Sequence, residues 1–197
     1  MPPLTAISKS LPSFSIEWTN TYWTGWTQVH HIKSMIQHSD GGYVFIGTAI
    51  DEGSEALWLV KININGEVEW NEVYPEEYER NGLGLVEAIG GEIVLISSGY
   101  AAEFETNSFS ALMVDQQGVQ LWSQSYSDTN HTYATGLVLG EDNGYAIAGH
   151  YYTADEQSNF FLLKIDDNGG VEWESVFGAE GTERALAVTH IQDEGYV

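Results

Sequence analysis

The sequence predicts an all-β repeat fold of short antiparallel strands, and three observations carry that prediction. Trp18, Trp70, Trp122 and Trp173 recur at spacings of 52, 52 and 51 residues, each with an aromatic partner four positions on: Tyr22, Tyr74, Tyr126 and Phe177. Turn-like segments recur at the same period: Asp40-Gly41-Gly42-Tyr43, the degenerate Ile89-Gly90-Gly91-Glu92, Asp142-Asn143-Gly144-Tyr145 and Asp193-Glu194-Gly195-Tyr196. The runs between them are short, rich in branched and aromatic residues, and bounded by residues that accept φ > 0, as strands joined by hairpins require.

A first strand is expected at 15–22, where Trp18 and Tyr22 share one face because residues four apart do so in a strand. The next unit opens on its tryptophan strand at 69–74, followed by strands at 83–89, 92–96 and 109–115. The runs 83–89 and 185–191 resemble helical turns, but their length and place in the period argue for strands. Turns at 61–66, 114–118 and 164–169 precede the next tryptophan in each copy. Four strands make one unit, and the units fall at about 15–66, 67–118, 119–169 and 170–197, in a single domain at 15–197 after an N-terminal tail at 1–14. One small sheet cannot bury its aromatic face alone, whereas radial stacking of copies can, so the architecture expected is β-propeller-like with four-stranded antiparallel blades of about 51 residues. The chain holds about three and a half such units, which leaves an open strand edge near Val197. A longer propeller, self-assembly across that edge, or an irregular four-bladed or solenoid fold would each account for it.

The consensus reads Gly-Gly-Tyr-apolar-x-x-Gly, a variable loop, an apolar strand with Lys-x-Asp/Asn, then Asn-Gly and Glu-Trp. It resembles the repeat of large bacterial and archaeal secreted or surface β-propeller proteins, from about Ile16 to the end of the chain. The second copy departs from it: Glu92 replaces the tyrosine, Ile96 stands where Gly47 and Gly149 sit, and Met113 replaces the lysine. The resemblance implies an extracellular or cell-surface setting and a non-enzymatic interaction or scaffold role, without naming a ligand.

Composition narrows the partners. Twenty-nine acidic residues against 6 basic ones give a net charge of −23, which disfavours nucleic acid and anionic membrane. High salt, divalent cations or a basic protein would offset such a charge. No cysteine is present, so disulfides and thiolate chemistry are excluded. The N-terminus lacks the basic-then-apolar pattern of a secretory signal, and no run approaches the roughly 20 apolar residues of a membrane-spanning helix.

Strand connections alternate between the two ends of a meander, and the longer, more variable ones fall together at one end. Binding commonly resides on such loops. This end carries Trp26, Tyr78, Tyr100, Phe104, Tyr151 and Tyr152 beside Glu76, Glu103 and Asp155, an acidic and aromatic set suited to a protein or glycan partner. The repeated Trp18, Trp70, Trp122 and Trp173 and the turn glycines Gly42, Gly144 and Gly195 are assigned to the scaffold. His30, His31, His131 and His150 fall near the loop end, where converging imidazoles would be needed to hold zinc. The segments at 63–66 and 166–169 lack the spaced ligands of a calcium loop and read as turns, so no cofactor is assigned and weak calcium binding is left to the acidic loops. No nucleophile elbow or phosphate loop appears; a glycan-processing enzyme using paired carboxylates such as Glu76 and Glu77, and a self-assembling structural protein, stand as alternatives.

Overall fold

The computed structural model describes residues 21–22, 31–51, 54–74, 80–101, 106–126, 131–153, 157–179, 181–192 and 195–197. Every assigned element is a strand. The first sheet joins β1 (His31–Gln37), β2 (Tyr43–Asp51), β3 (Ser54–Ile62) and β4 (Val68–Tyr74), antiparallel and in sequence order. The second joins β5 (Arg80–Glu87), β6 (Ile93–Ala101), β7 (Thr106–Val114) and β8 (Gln120–Tyr126) in the same order. The third joins β9 (Thr132–Leu139), β10 (Tyr145–Tyr152), β11 (Ser158–Ile165) and β12 (Val171–Phe177). A two-stranded hairpin follows, β13 (His190–Ile191) with β14 (Gly195–Tyr196).

The all-β class, the antiparallel four-stranded units and their repetition agree with the sequence expectation; the grouping of strands does not. The tryptophan strand closes a sheet instead of opening one: Trp70 lies on β4 and pairs with Lys61 of β3, and Trp122 and Trp173 close their own sheets in the same way. The turn before each tryptophan decides this. The Asn63 side-chain oxygen accepts the N–H groups of Asn65 and Glu67, the Asp115 oxygen those of Gln117 and Val119, and the Asp166 oxygen those of Asn168 and Gly170. Each such side-chain cap fastens a tight reversal, so the strands on either side of it must pair. The longer link after Tyr74 is free to step to the next sheet. Trp18 and the proposed strand at 15–22, apart from Thr21 and Tyr22, lie outside the described residues.

The sheets stack face to face. Val44, Ile46, Leu57 and Leu59 of the first sheet bury against Leu85, Ile93, Leu95, Leu112 and Val114 of the second. Val94, Ile96, Phe109 and Met113 of the second bury against Tyr145, Ile147, Phe161 and Leu163 of the third. β1, β5 and β9, the first strands of successive sheets, lie next to one another. The final hairpin keeps the repeat in phase, since Tyr196 pairs with His190 as Tyr145 pairs with Leu139.

The repeated aromatics fasten one sheet to the next. The Trp70 indole N–H donates to Gln116 O at 2.7 Å and the Tyr74 hydroxyl to Gly118 O at 2.5 Å. One sheet later, Trp122 donates to Asp167 O at 3.0 Å and Tyr126 to Gly169 O at 2.7 Å. Tyr22 makes the corresponding bond to Gly66 O at 2.9 Å. Each turn carbonyl that receives such a bond sits beside a glycine held at φ 79° to 83° (Gly66, Gly118, Gly169). Trp173 and Phe177 close the third sheet with the same spacing, but their side chains are 40% and 45% exposed, with Tyr196 6.2 Å from the Trp173 ring.

Gly42 and Gly144 serve close approach more than turn conformation. The positive φ falls one residue earlier, on Gly41 and Asn143. A Cβ on Gly42 would meet Ile62 O at 2.2 Å, and one on Gly144 would meet Ile165 O at 2.4 Å, so the hairpin turn lies directly against the third strand of its own sheet. Gly195 has φ 99° and open space around its Cβ position.

Candidate functional site

The two ends of the sheets differ in chemistry. At the tight-turn end the polar groups are paired with one another. Lys61, only 4% exposed, bonds to both Asp40 and Glu69, and Lys164 bonds to Asp142 at 2.8 Å and Glu172 at 2.9 Å. Burial pushes the Asp40 carboxyl up, but the bonds from Lys61, the Gly42 N–H and His38 outweigh it and hold it at about 2. Burial likewise opposes the charge on both lysines, and their carboxylate partners more than compensate, so both ammonium groups are held charged. His38 contacts Gly91 O of the next sheet at 3.1 Å, and Ser39 N–H donates to Glu87 at 2.8 Å. This end is a locked scaffold.

The loop end is where the sequence places binding. Trp26, Tyr78, Phe104, Glu76, Glu103 and Asp155 lie outside the described residues, and Tyr100 is described only as a backbone position on β6. Tyr151 and Tyr152 are both described, and the structure separates them. Neighbours on a strand point to opposite faces: Tyr151 packs onto the core between the second and third sheets, whereas Tyr152 points to the other face.

Around Tyr152 a cluster forms that the sequence reading did not assemble. Tyr133 on β9 stacks on His150 of β10 at 5.3 Å between ring centres, and Tyr152 meets both rings edge-on at 5.9 and 5.8 Å. The Arg184 guanidinium lies 5.5 Å above the Tyr152 ring and also bonds to its hydroxyl. Asn107 of the second sheet donates to the Tyr133 hydroxyl at 2.7 Å, and its backbone N–H donates to His131 Nδ1 at 3.0 Å. That bond makes Nδ1 of His131 an acceptor and puts the neutral ring's proton on Nε2.

His150 is 9% exposed, and its Nδ1 has no hydrogen-bond partner among the described residues. Burial, with the charge of Arg184 added, lowers its pKa and keeps the imidazole neutral. Burial and the neighbouring Tyr152 raise the Tyr133 phenol, against the smaller opposing effects of Arg184 and Asn107. The cluster therefore presents a neutral imidazole beside two phenols and one guanidinium, groups that can hydrogen-bond and stack.

Repeat alignment supplies the signal that would have found these residues. Asn81 and Tyr133 occupy the same position near the start of β5 and β9, and Arg184 falls at the equivalent point of the next repeat, ahead of β13. The first reaches back to Thr48 Oγ1 of the preceding sheet at 3.1 Å, the second to Asn107, and the third to Tyr152. His131 and His150 do enter one network through Asn107 and Tyr133, while His30 lies outside the described residues. No group of three or more His, Asp or Glu placed to hold a metal occurs among the described residues. One side-chain oxygen each of Asp115 and Asp166 at the turns is occupied by backbone N–H groups. Among the described residues no helix is long and apolar enough to cross a membrane.

No family model matches this chain, and no curated protein resembles it closely enough to count as a relative.

Proposed function

We propose that this chain is part of a β-propeller serving as a non-enzymatic interaction or scaffold module of a secreted or cell-surface protein, with a protein or glycan bound at the loop end. The propeller reading is supported by the constant step between sheets: the same indole and phenol bonds join the first sheet to the second and the second to the third. The binding reading rests on the Tyr133, His150, Tyr152 and Arg184 cluster, whose buried His150 Nδ1 lacks a partner, whereas the opposite end is pinned by ion pairs. A glycan or protein array is the test. A hit weakened at least about tenfold by Arg184→Gln and by Tyr152→Ala, both with a native thermal transition, supports the loop end as the binding face. A hit indifferent to both variants rejects it.

A second reading, assembly through an open edge, draws on the exposed Trp173, Val176 and Phe177 of β12. Sedimentation of the chain decides it: a monomer at high concentration removes this reading, and a defined oligomer lost on Trp173→Glu favours it.

A further inference from the structure

The groove between the second and third sheets has a chemistry of its own. It encloses about 740 Å³ between β8 on one wall and β11 and β12 on the other. Its floor is formed by two partly exposed rings, Tyr126, which stacks on the buried Phe109 at 5.2 Å, and Tyr151, while Phe109 and Phe161 beneath are each 2% exposed and belong to the core. Glu174 and Asp166 stand on the rim, and no lysine, arginine or histidine lines it. Asp166 Oδ1 is taken by the two turn N–H groups, its second oxygen receives no bond from the described residues, and Glu174 is in no ion pair among them.

This combination is particular to one sheet interface. In the groove between the first and second sheets, the positions of Tyr151, Phe161 and Phe109 are held by Gly99, Ser110 and Leu57, as the strand registers show. Tyr74 stands where Tyr126 does, so the accessible ring particular to the second groove is Tyr151, while Phe109 and Phe161 fill the core beneath it.

We infer that this groove receives an extended basic peptide segment, lysine- or arginine-rich, supplied by a partner protein. The stems of long cationic side chains cover aromatic surface while their heads stay at the rim, where the carboxylates meet them. Charge complementarity selects the partner: the charged side chains of the lining are two carboxylates, Asp166 and Glu174, and the whole chain carries −23. A neutral glycan would use the same floor but has no need of an uncompensated acidic rim. The site is separate from the loop-end cluster, so the fate of that reading does not decide this one.

The test is fluorescence anisotropy with a labelled hexapeptide of alternating lysine and glycine, at physiological ionic strength. Glu174→Gln should weaken binding about fivefold, the loss expected when one screened ion pair is removed. Val176→Arg, which sets a cation and added bulk on an exposed wall position, should weaken it at least about tenfold. Glu67→Gln, with the same charge change on a turn of the first sheet, should change it less than about twofold. Equal loss in Glu67→Gln and Glu174→Gln would show diffuse attraction to an acidic surface and overturn the assignment. So would a neutral hexasaccharide whose binding is lost in Val176→Arg while the peptide still binds that variant. Thermal transitions of the three variants establish that each is folded; if Val176→Arg is not, the comparison of the two isosteric glutamine variants still decides.

Discussion

Tyr126 shows how a single atom contributes to this fold. Its ring is packed on Phe109, and its hydroxyl donates to Gly169 O across the sheet interface. Burial pushes its pKa far up, with the Asp166 charge adding to the effect, so the phenol stays a donor at every ordinary pH. Tyr126→Phe keeps the ring and removes one buried bond, leaving a carbonyl short of a partner. It should cost about 1 kcal/mol in chemical denaturation with an unchanged denaturant slope. A neutral result would mean that the phenol bond is replaced by water and that only the ring matters. The equivalent residue after Trp173 is Phe177, which has no hydroxyl to lose and is half-exposed. The aromatic spacing was plain in the sequence. The acceptor was not, because it lies 43 residues away in another sheet.

At the scale of the element, the first and third sheets bury a lysine on their third strand, and the second sheet does without one. The first and third use Asp40, Lys61 and Glu69, and Asp142, Lys164 and Glu172. The strand registers shift the second copy by one residue from the sequence alignment, so that Ile93, not Glu92, takes the tyrosine position and Ser97, not Ile96, the glycine position. Gly90, Met113 and Leu121 then stand for the three members of the set, which change together. Sequence reading saw Met113 replace a lysine; only strand pairing shows that its two carboxylate partners vanish with it. Burying one charge of a set is costly, whereas replacing the whole set by apolar groups is close to neutral. Lys164→Met alone should therefore destabilise by about 1–2 kcal/mol, a figure kept low because Asp142 and Glu172 are half-exposed. Adding Asp142→Gly and Glu172→Leu should restore stability to within about 1 kcal/mol of the parent. Urea denaturation of the single and triple variants checks both, and a triple variant less stable than the single one would refute the set as a unit.

Across the whole molecule the acidity sets the terms. With 29 acidic residues and 6 basic ones, and with Lys61 and Lys164 engaged in local ion pairs, the folded chain repels itself. Raising salt shortens the reach of that repulsion, from about 30 Å at 0.01 M to about 8 Å at 0.15 M, while the partly buried triads are screened less. Thermal stability should therefore rise with sodium chloride over this range, with most of the gain made by physiological ionic strength. A transition temperature that falls with salt would mean that surface ion pairs outweigh the net charge.

The sequence alone determined the class of element, the period and the position of the hairpins, because each depends on residues close together: an Asp or Asn capping its own turn, a glycine two or three places on, and alternating apolar residues between. It also determined that the paired aromatics share a face. Which strands form one sheet was decided in three dimensions, where a capped reversal forces its flanking strands to pair and the longer link is left to cross. The loop-end cluster was decided there too, since β9–β10 pairing sets Tyr133 beside His150 and the segment carrying Arg184 is laid against the third sheet at Tyr152. Adjacent Tyr151 and Tyr152 went to opposite faces for the same reason: a strand's pleat separates what the sequence joins.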